Sequence, residues 1–149
     1  MTPPFDLSAF LPYQLATAAA RISRGFAARY RTDFGLSIPE WRVLAHLAQS
    51  GAVSVREIQK RVDMDKSKVS RAAARLESAG LIVKRANAAD RRLLDMTLTD
   101  AGRALMARIL PVADAYQAEV LAALGVDAEP FRRALLRLRD LGEGDDNLA

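Results

Sequence analysis

Residues 65–82 read Asp65-Lys66-Ser67-Lys68-Val69-Ser70-Arg71-Ala72-Ala73-Ala74-Arg75-Leu76-Glu77-Ser78-Ala79-Gly80-Leu81-Ile82, and this stretch decides the fold. It begins as a helix with an unusually polar, basic first half. Asp65 is a natural cap, Gly80 a natural stop, and only Val69, Ala72, Ala73 and Leu76 suit burial. At Leu81 the period shifts from helical to alternating. Leu81-Ile82-Val83-Lys84-Arg85 reads as a strand, and Leu94, Met96 and Leu98 alternate with Asp95 and Thr97 in a second one. The polar run Ala86-Asn87-Ala88-Ala89-Asp90-Arg91-Arg92 between them is a hairpin tip.

Upstream, Ser54-Val55-Arg56-Glu57 forms a capping box opening a short helix to about Val62, with Val55, Ile58 and Val62 apolar. A tight break at Asp63-Met64 separates it from the basic helix. Ser37-Ile38-Pro39-Glu40 is an earlier capping box, opening a helix that carries Trp41, Leu44, Leu47 and Ala48 inward and ends near Ser50-Gly51. Before it, Leu15, Ala19, Ile22, Phe26, Tyr30 and Phe34 recur at helical spacing from about Pro12, with Gly35 as the stop. Downstream, Thr99 caps a long helix with Leu105, Ile109, Val112, Tyr116, Val120 and Leu124 on one face. Pro111 is expected to kink it and Gly125 to end it. Asp127 caps a last helix carrying Phe131, Leu135 and Leu138 to about Leu141, and a polar tail follows from Gly142. The expected fold is mainly α with a small β-hairpin wing.

Composition narrows the function. The chain has 149 residues, half of them hydrophobic, and no cysteine. Disulfides, thiolate zinc sites and cysteine nucleophiles are therefore excluded. His46 is the only histidine, on a helical face with Arg42 and Gln49, which leaves a histidine metal cage or a Ser-His-Asp triad without partners. Glycines fall singly at element ends, so no phosphate loop is present. No metal, cofactor or enzymatic activity is expected. No uninterrupted apolar run approaches membrane-spanning length and residues 1–20 lack a leader pattern, so a cytoplasmic protein without membrane contact is expected. Charge is uneven. Residues 51–92 hold 11 Lys and Arg against 5 Asp and Glu, a net of +6 in a chain whose net is +4. Positive charge gathered in one block is the footprint of a phosphate-binding surface, although a solvated basic face gives the same count.

Two short capped helices joined by a tight turn, followed by a two-stranded hairpin, form a winged helix-turn-helix. In such proteins the second helix enters the major groove with its first residues at the base edges. Lys66, Ser67, Lys68, Ser70, Arg71 and Arg75 are the candidate contacts on that helix, with Asp90, Arg91 and Arg92 on the wing. An amphipathic surface helix with incidental lysines is the plainer reading of the first group, and a turn role the plainer reading of Asp90. A winged-helix module for protein–protein contact is the alternative in another class. It calls for an apolar or acidic recognition helix, which Lys66, Lys68, Arg71 and Arg75 do not give.

Glu40-Trp41-Arg42-Val43-Leu44, Ser67-Lys68-Val69-Ser70-Arg71, Leu76-Glu77-Ser78-Ala79-Gly80-Leu81-Ile82, and Asp90-Arg91-Arg92 followed by Leu98-Thr99 and Gly102 stand in an order and spacing that resembles the multiple-antibiotic-resistance regulators, the MarR family. The resemblance covers about residues 11–141. It implies a transcriptional regulator, in most members a ligand-responsive repressor, acting as a homodimer on an inverted repeat in double-stranded DNA. Residues 37–98 would be the reader, with a recognition helix at about 66–78 and a wing at about 81–98. Helices at 11–35 and 100–141 would dimerise, and their apolar faces outside the reader independently call for a covering partner. The resemblance gives Arg92 a minor-groove role, with Asp90 orienting it and Arg91 on phosphate. It also implies a small aromatic or anionic effector between dimerisation helices and reader. Arg24, Phe26, Tyr30 and Trp41 are candidates for lining that cavity, the three aromatics being equally suited to the core. Arg21, Arg24 and Arg31 otherwise make a solvated face or pair with Asp114 or Glu119 across a dimer.

Overall fold

A computed structural model describes residues 1–62 and 64–143, and Asp63, part of the expected tight break, lies outside them. After one 3-10 turn at Leu7–Ala9, capped by Asp6, the order is α1 (Leu11–Phe34), α2 (Ile38–Ser50), β1 (Val53–Ser54), α3 (Val55–Val62), α4 (Lys66–Ser78), β2 (Ile82–Ala86), β3 (Leu94–Leu98), α5 (Asp100–Leu124) and α6 (Ala128–Glu143). The mainly helical fold with a small antiparallel sheet agrees with the expectation.

Local signals account for most boundaries. α1 stops where Gly35 turns into the left-handed region at φ 66°, its N–H bonded to the Arg31 carbonyl. Two residues on, the Ser37 hydroxyl accepts from the Glu40 N–H and the Glu40 carboxylate accepts from the Ser37 N–H, both at 3.3 Å, so a full capping box opens α2. At the start of α3 the Ser54 hydroxyl accepts from the Glu57 N–H at 3.1 Å.

The sheet has one more strand than the expected hairpin. β1 pairs antiparallel with β3 (Val53 opposite Met96), giving the order β1-β3-β2, and β2 pairs with β3 from Ile82↔Leu98 to Ala86↔Leu94. A two-residue strand is too short to show alternation, which is why only its partner reveals it. Ile82 and Met96 point into the core, joining Val43, Leu44, Leu47, Val53, Ile58, Val69, Leu76 and Ile109.

By contacts the chain divides into two compact units, one from Met1 to Val112 and one from Ala113 onward. The first unit reaches past the expected reader border, because the end of α1 (Ala27, Tyr30) and the first half of α5 (Met106, Ile109) share the reader's core. What draws α5 in is Gly102. A β-carbon there would lie 2.1 Å from the Leu81 carbonyl oxygen, so only glycine lets α5 sit on the start of the wing. Thr99 locks the same corner: its hydroxyl donates to the Gly80 carbonyl at 2.6 Å, and its N–H donates to the Leu81 carbonyl at 3.0 Å.

In the second unit, α5 continues beyond Pro111 to Leu124, Asp127 lies in a 3-10 turn, and α6 runs through Gly142 to Glu143. Phe131, Leu135, Leu136, Leu138 and Leu141 are exposed on α6. That no apolar run approaches membrane-spanning length holds for uninterrupted runs, but one helical stretch is long and apolar enough on average. Between Asp100 and Leu141 an 18-residue window reaches a mean hydropathy of 1.3 with 6% of it buried. Alanine and leucine raise the average there although charges interrupt every apolar run. Ala48, expected inward on α2, is exposed.

Candidate nucleic-acid interface

α4 separates its two faces by residue type. Val69, Ala72, Ala73 and Leu76 are buried, while Lys66, Ser67, Lys68, Ser70 and Arg71 are exposed on the opposite side. The Asp65 carboxylate caps the helix, accepting from the Lys68 N–H at 2.9 Å and the Ser67 hydroxyl at 2.7 Å. Those two bonds, the backbone one foremost, hold its carboxyl below the usual aspartate range. The Ser67 hydroxyl is thus turned back toward the cap. Lys66, Lys68, Ser70 and Arg71 extend outward.

The wing tip is built on Asn87, which the sequence reading passed over. Its side-chain oxygen accepts from the Ala89 and Asp90 N–H groups at 2.8 and 2.9 Å, and its amide donates to Asp95 at 2.9 Å. An asparagine in a polar hairpin run is the ordinary signal for such a turn. Asp90 then accepts from the Arg92 N–H at 3.1 Å and from its Nε at 3.3 Å, so the carboxylate orients an arginine whose side chain is 91% exposed. Arg91 is exposed beside it.

Between α3, α4 and the wing lies a cleft of about 660 Å³ that brings Lys66 and Ser70 together with Asp90 and Arg92. Arg56, Gln59 and Lys84 also line it and were not foreseen. Arg56 and Gln59 belong to the helix that precedes the recognition helix, which crosses the phosphate backbone in this architecture, and that was the available signal. The cleft carries four cations, Arg56, Lys66, Lys84 and Arg92, against the single carboxylate Asp90. Lys84 also approaches Glu77 at 3.8 Å.

Two sets of expected residues sit elsewhere. Arg75 does not join the cleft: its Nε donates to Glu40 Oε1 at 2.8 Å, tying α4 to α2. Arg75 falls one helical turn after Arg71, where the face has already rotated toward α2. Phe26, Tyr30 and Trp41 pack on one another with ring centroids 4.8–5.7 Å apart, and Tyr30 is 1% exposed. Tyr30 belongs to the core, and the half-buried Phe26 and Trp41 pack against it where α1 meets α2. Burial pushes the Tyr30 hydroxyl up, and it stays protonated. Arg24 of that group borders a second cleft of about 690 Å³, shared with Ser23, Ile38, Arg42, Asp65 and Lys68. His46 is half-buried, and burial together with Arg61 lowers its pKa.

A capped helix with a cationic outer face beside an arginine-tipped hairpin defines a winged helix-turn-helix DNA-binding regulator. A MarR family sequence model matches residues 34–93. The transcriptional repressor Rv2887 of Mycobacterium tuberculosis is 34% identical over 108 residues, 72% of this chain and 78% of that protein. Its structure in complex with p-aminosalicylic acid superposes with a TM-score of 0.70 at 31% identity, over 87% of this chain and 98% of that one. BpsR of Bordetella bronchiseptica, whose DNA binding is regulated by 6-hydroxynicotinic acid, matches with a TM-score of 0.78 at 27% identity, covering 93% and 98%. The chain belongs to the MarR family of transcriptional regulators.

Proposed function

We propose that the protein is a cytoplasmic, homodimeric repressor that binds an inverted repeat in double-stranded DNA and releases it when a small aromatic acid binds. The observation that carries the DNA reading is the single cleft uniting the start of α4 with Arg92. α4 enters the major groove, where Lys66, Lys68, Ser70 and Arg71 meet base edges and phosphates. Arg92, aimed by Asp90, enters the adjacent minor groove, and Arg91 and Arg56 take phosphates. Genomic fragments retained by the purified protein, when sequenced, are expected to share an inverted repeat with half-sites about one helical turn apart. Retention of fragments without a common motif would overturn sequence-specific binding.

The contacts are charged, so affinity is expected to fall steeply with salt. Each phosphate neutralised adds about 0.9 to the slope of log affinity against log salt. A fluorescence-anisotropy titration from low to physiological salt measures it, and a slope near zero would exclude these phosphate contacts.

Dimerisation is supported by the apolar surface left on the helices flanking the reader: Leu11, Tyr13 and Ile22 on α1, and Phe131, Leu135, Leu136, Leu138 and Leu141 on α6. A second copy covers that surface economically, and it accounts for the apolar, little-buried stretch in α5 and α6 without a membrane. Ile22→Asp is expected to shift the protein toward monomer, since it places an unpaired charge in the interface. Sedimentation equilibrium at low micromolar protein reads this out, and a well-folded 16.3 kDa wild-type monomer would refute the dimer.

For the effector, the 690 Å³ cleft offers Arg24, Arg42 and Lys68 as cations, while its carboxylate, Asp65, is already engaged as the α4 cap. That balance suits a carboxylate-bearing ring, the chemistry shared by the two acids associated with the relatives above. Lys68 links this cleft to the DNA face.

A further inference from the structure

We propose that the Glu40–Arg75 ion pair is a positioning device: it fixes how the recognition helix is presented, and with it how well the protein tells its operator from other duplex. The inference rests on the DNA-binding reading above. Glu40 is a charged residue kept inside the fold, its side chain 11% exposed. One of its oxygens accepts from the Ser37 N–H and the other from Arg75 Nε at 2.8 Å. The chain turns from α1 into α2 at Gly35 and Ser37, so this carboxylate joins the α1–α2 corner directly to α4.

The apolar contact alone is poorly suited to that task. Two of the four buried residues of α4 are alanines, Ala72 and Ala73. Small side chains give little shape to resist a slide or rotation of α4 along α2. A charge-assisted N–H···O bond is directional, and here it lies one turn beyond Arg71, on the same short helix as the outward-facing residues. Arg75 and Glu40 therefore act through the helix and touch no DNA themselves.

The test sets electrostatics against geometry. Glu40→Gln keeps an acceptor for the Ser37 N–H, removes one negative charge and frees Arg75. If charge alone mattered, it would strengthen binding to any duplex. The proposal expects the reverse for discrimination: the ratio of affinity for the genomically selected operator over a random duplex of equal length drops about tenfold, with random-duplex affinity no weaker. Arg75→Met is expected to lower the ratio equally, and the double variant to lower it no further, because both substitutions remove one interaction. Arg75→Lys, which keeps charge but loses the Nε–H geometry, is expected to fall in between. Ser37→Ala, which weakens the helix cap without removing the pair, controls for lost stability, with thermal unfolding measured on every variant. Unchanged discrimination in Glu40→Gln, additive losses in the double variant, or an equal loss in Ser37→Ala would overturn the proposal. A wild-type protein that selects no operator fails the DNA reading itself, before any variant is compared.

Discussion

Gly102→Ala is expected to lower unfolding stability by about 3 kcal/mol, the upper end for overpacking a tight site. The added methyl would start 2.1 Å from the Leu81 carbonyl oxygen, a backbone atom that cannot rotate away as a side chain can. Relief requires lifting α5 from the wing, which strains the Thr99 bonds to Gly80 and Leu81 and opens the core at Met106 and Ile109. Urea denaturation followed by circular dichroism gives the shift in midpoint. A midpoint within error of wild type would show that α5 has more room than this geometry allows. Operator affinity measured well below the midpoint is expected to fall too, since the wing strands hang from that corner.

Arg71→Ala and Arg92→Ala are expected to separate the two grooves. Arg71 extends from the recognition helix, so its loss is expected to cost about 1–3 kcal/mol and to relax preference at one position of each half-site. If Arg92 enters the minor groove as proposed, its loss is expected to weaken binding and blunt the response to flanking A·T content, leaving core preference intact. Both side chains are exposed, and both variants are expected to stay folded and dimeric. Duplex libraries randomised separately at core and flank measure the two effects. Altered core preference in Arg92→Ala alongside an unaffected Arg71→Ala would mean the elements had been assigned to the wrong grooves.

Most of the fold was legible because it is written in local chemistry. Caps at Ser37, Ser54 and Asp65, stops at Gly35 and Gly80, and the change of period at Leu81 act within a few residues, where sequence spacing is spatial spacing. The long-range features were less visible. β1 is defined by Met96, more than forty residues away, and Gly102 by a carbonyl across a corner. The same limit shaped the interface. The Asp90–Arg92 contact is legible because two residues of one turn must be close. The charge of Arg75 is visible in the sequence, whereas its pairing with Glu40, 35 positions earlier, is not. For Phe26, Tyr30 and Trp41 the limit is similar: helical spacing shows that a face is apolar, not what covers it.

The carboxylate beneath Arg92 has a consequence for shape. A surface arginine ordinarily samples many rotamers, and fixing it on a partner costs entropy. Here the bonds from the Arg92 N–H and Nε to Asp90 favour one orientation before docking, which lowers that cost. With Arg92 aimed this way beside the start of α4, the two cationic elements are expected to act together on neighbouring grooves. Duplexes whose neighbouring grooves already suit both elements are expected to fit without bending. Others are expected to deform to be read, so that base pairs no side chain touches would enter the selection through their stiffness.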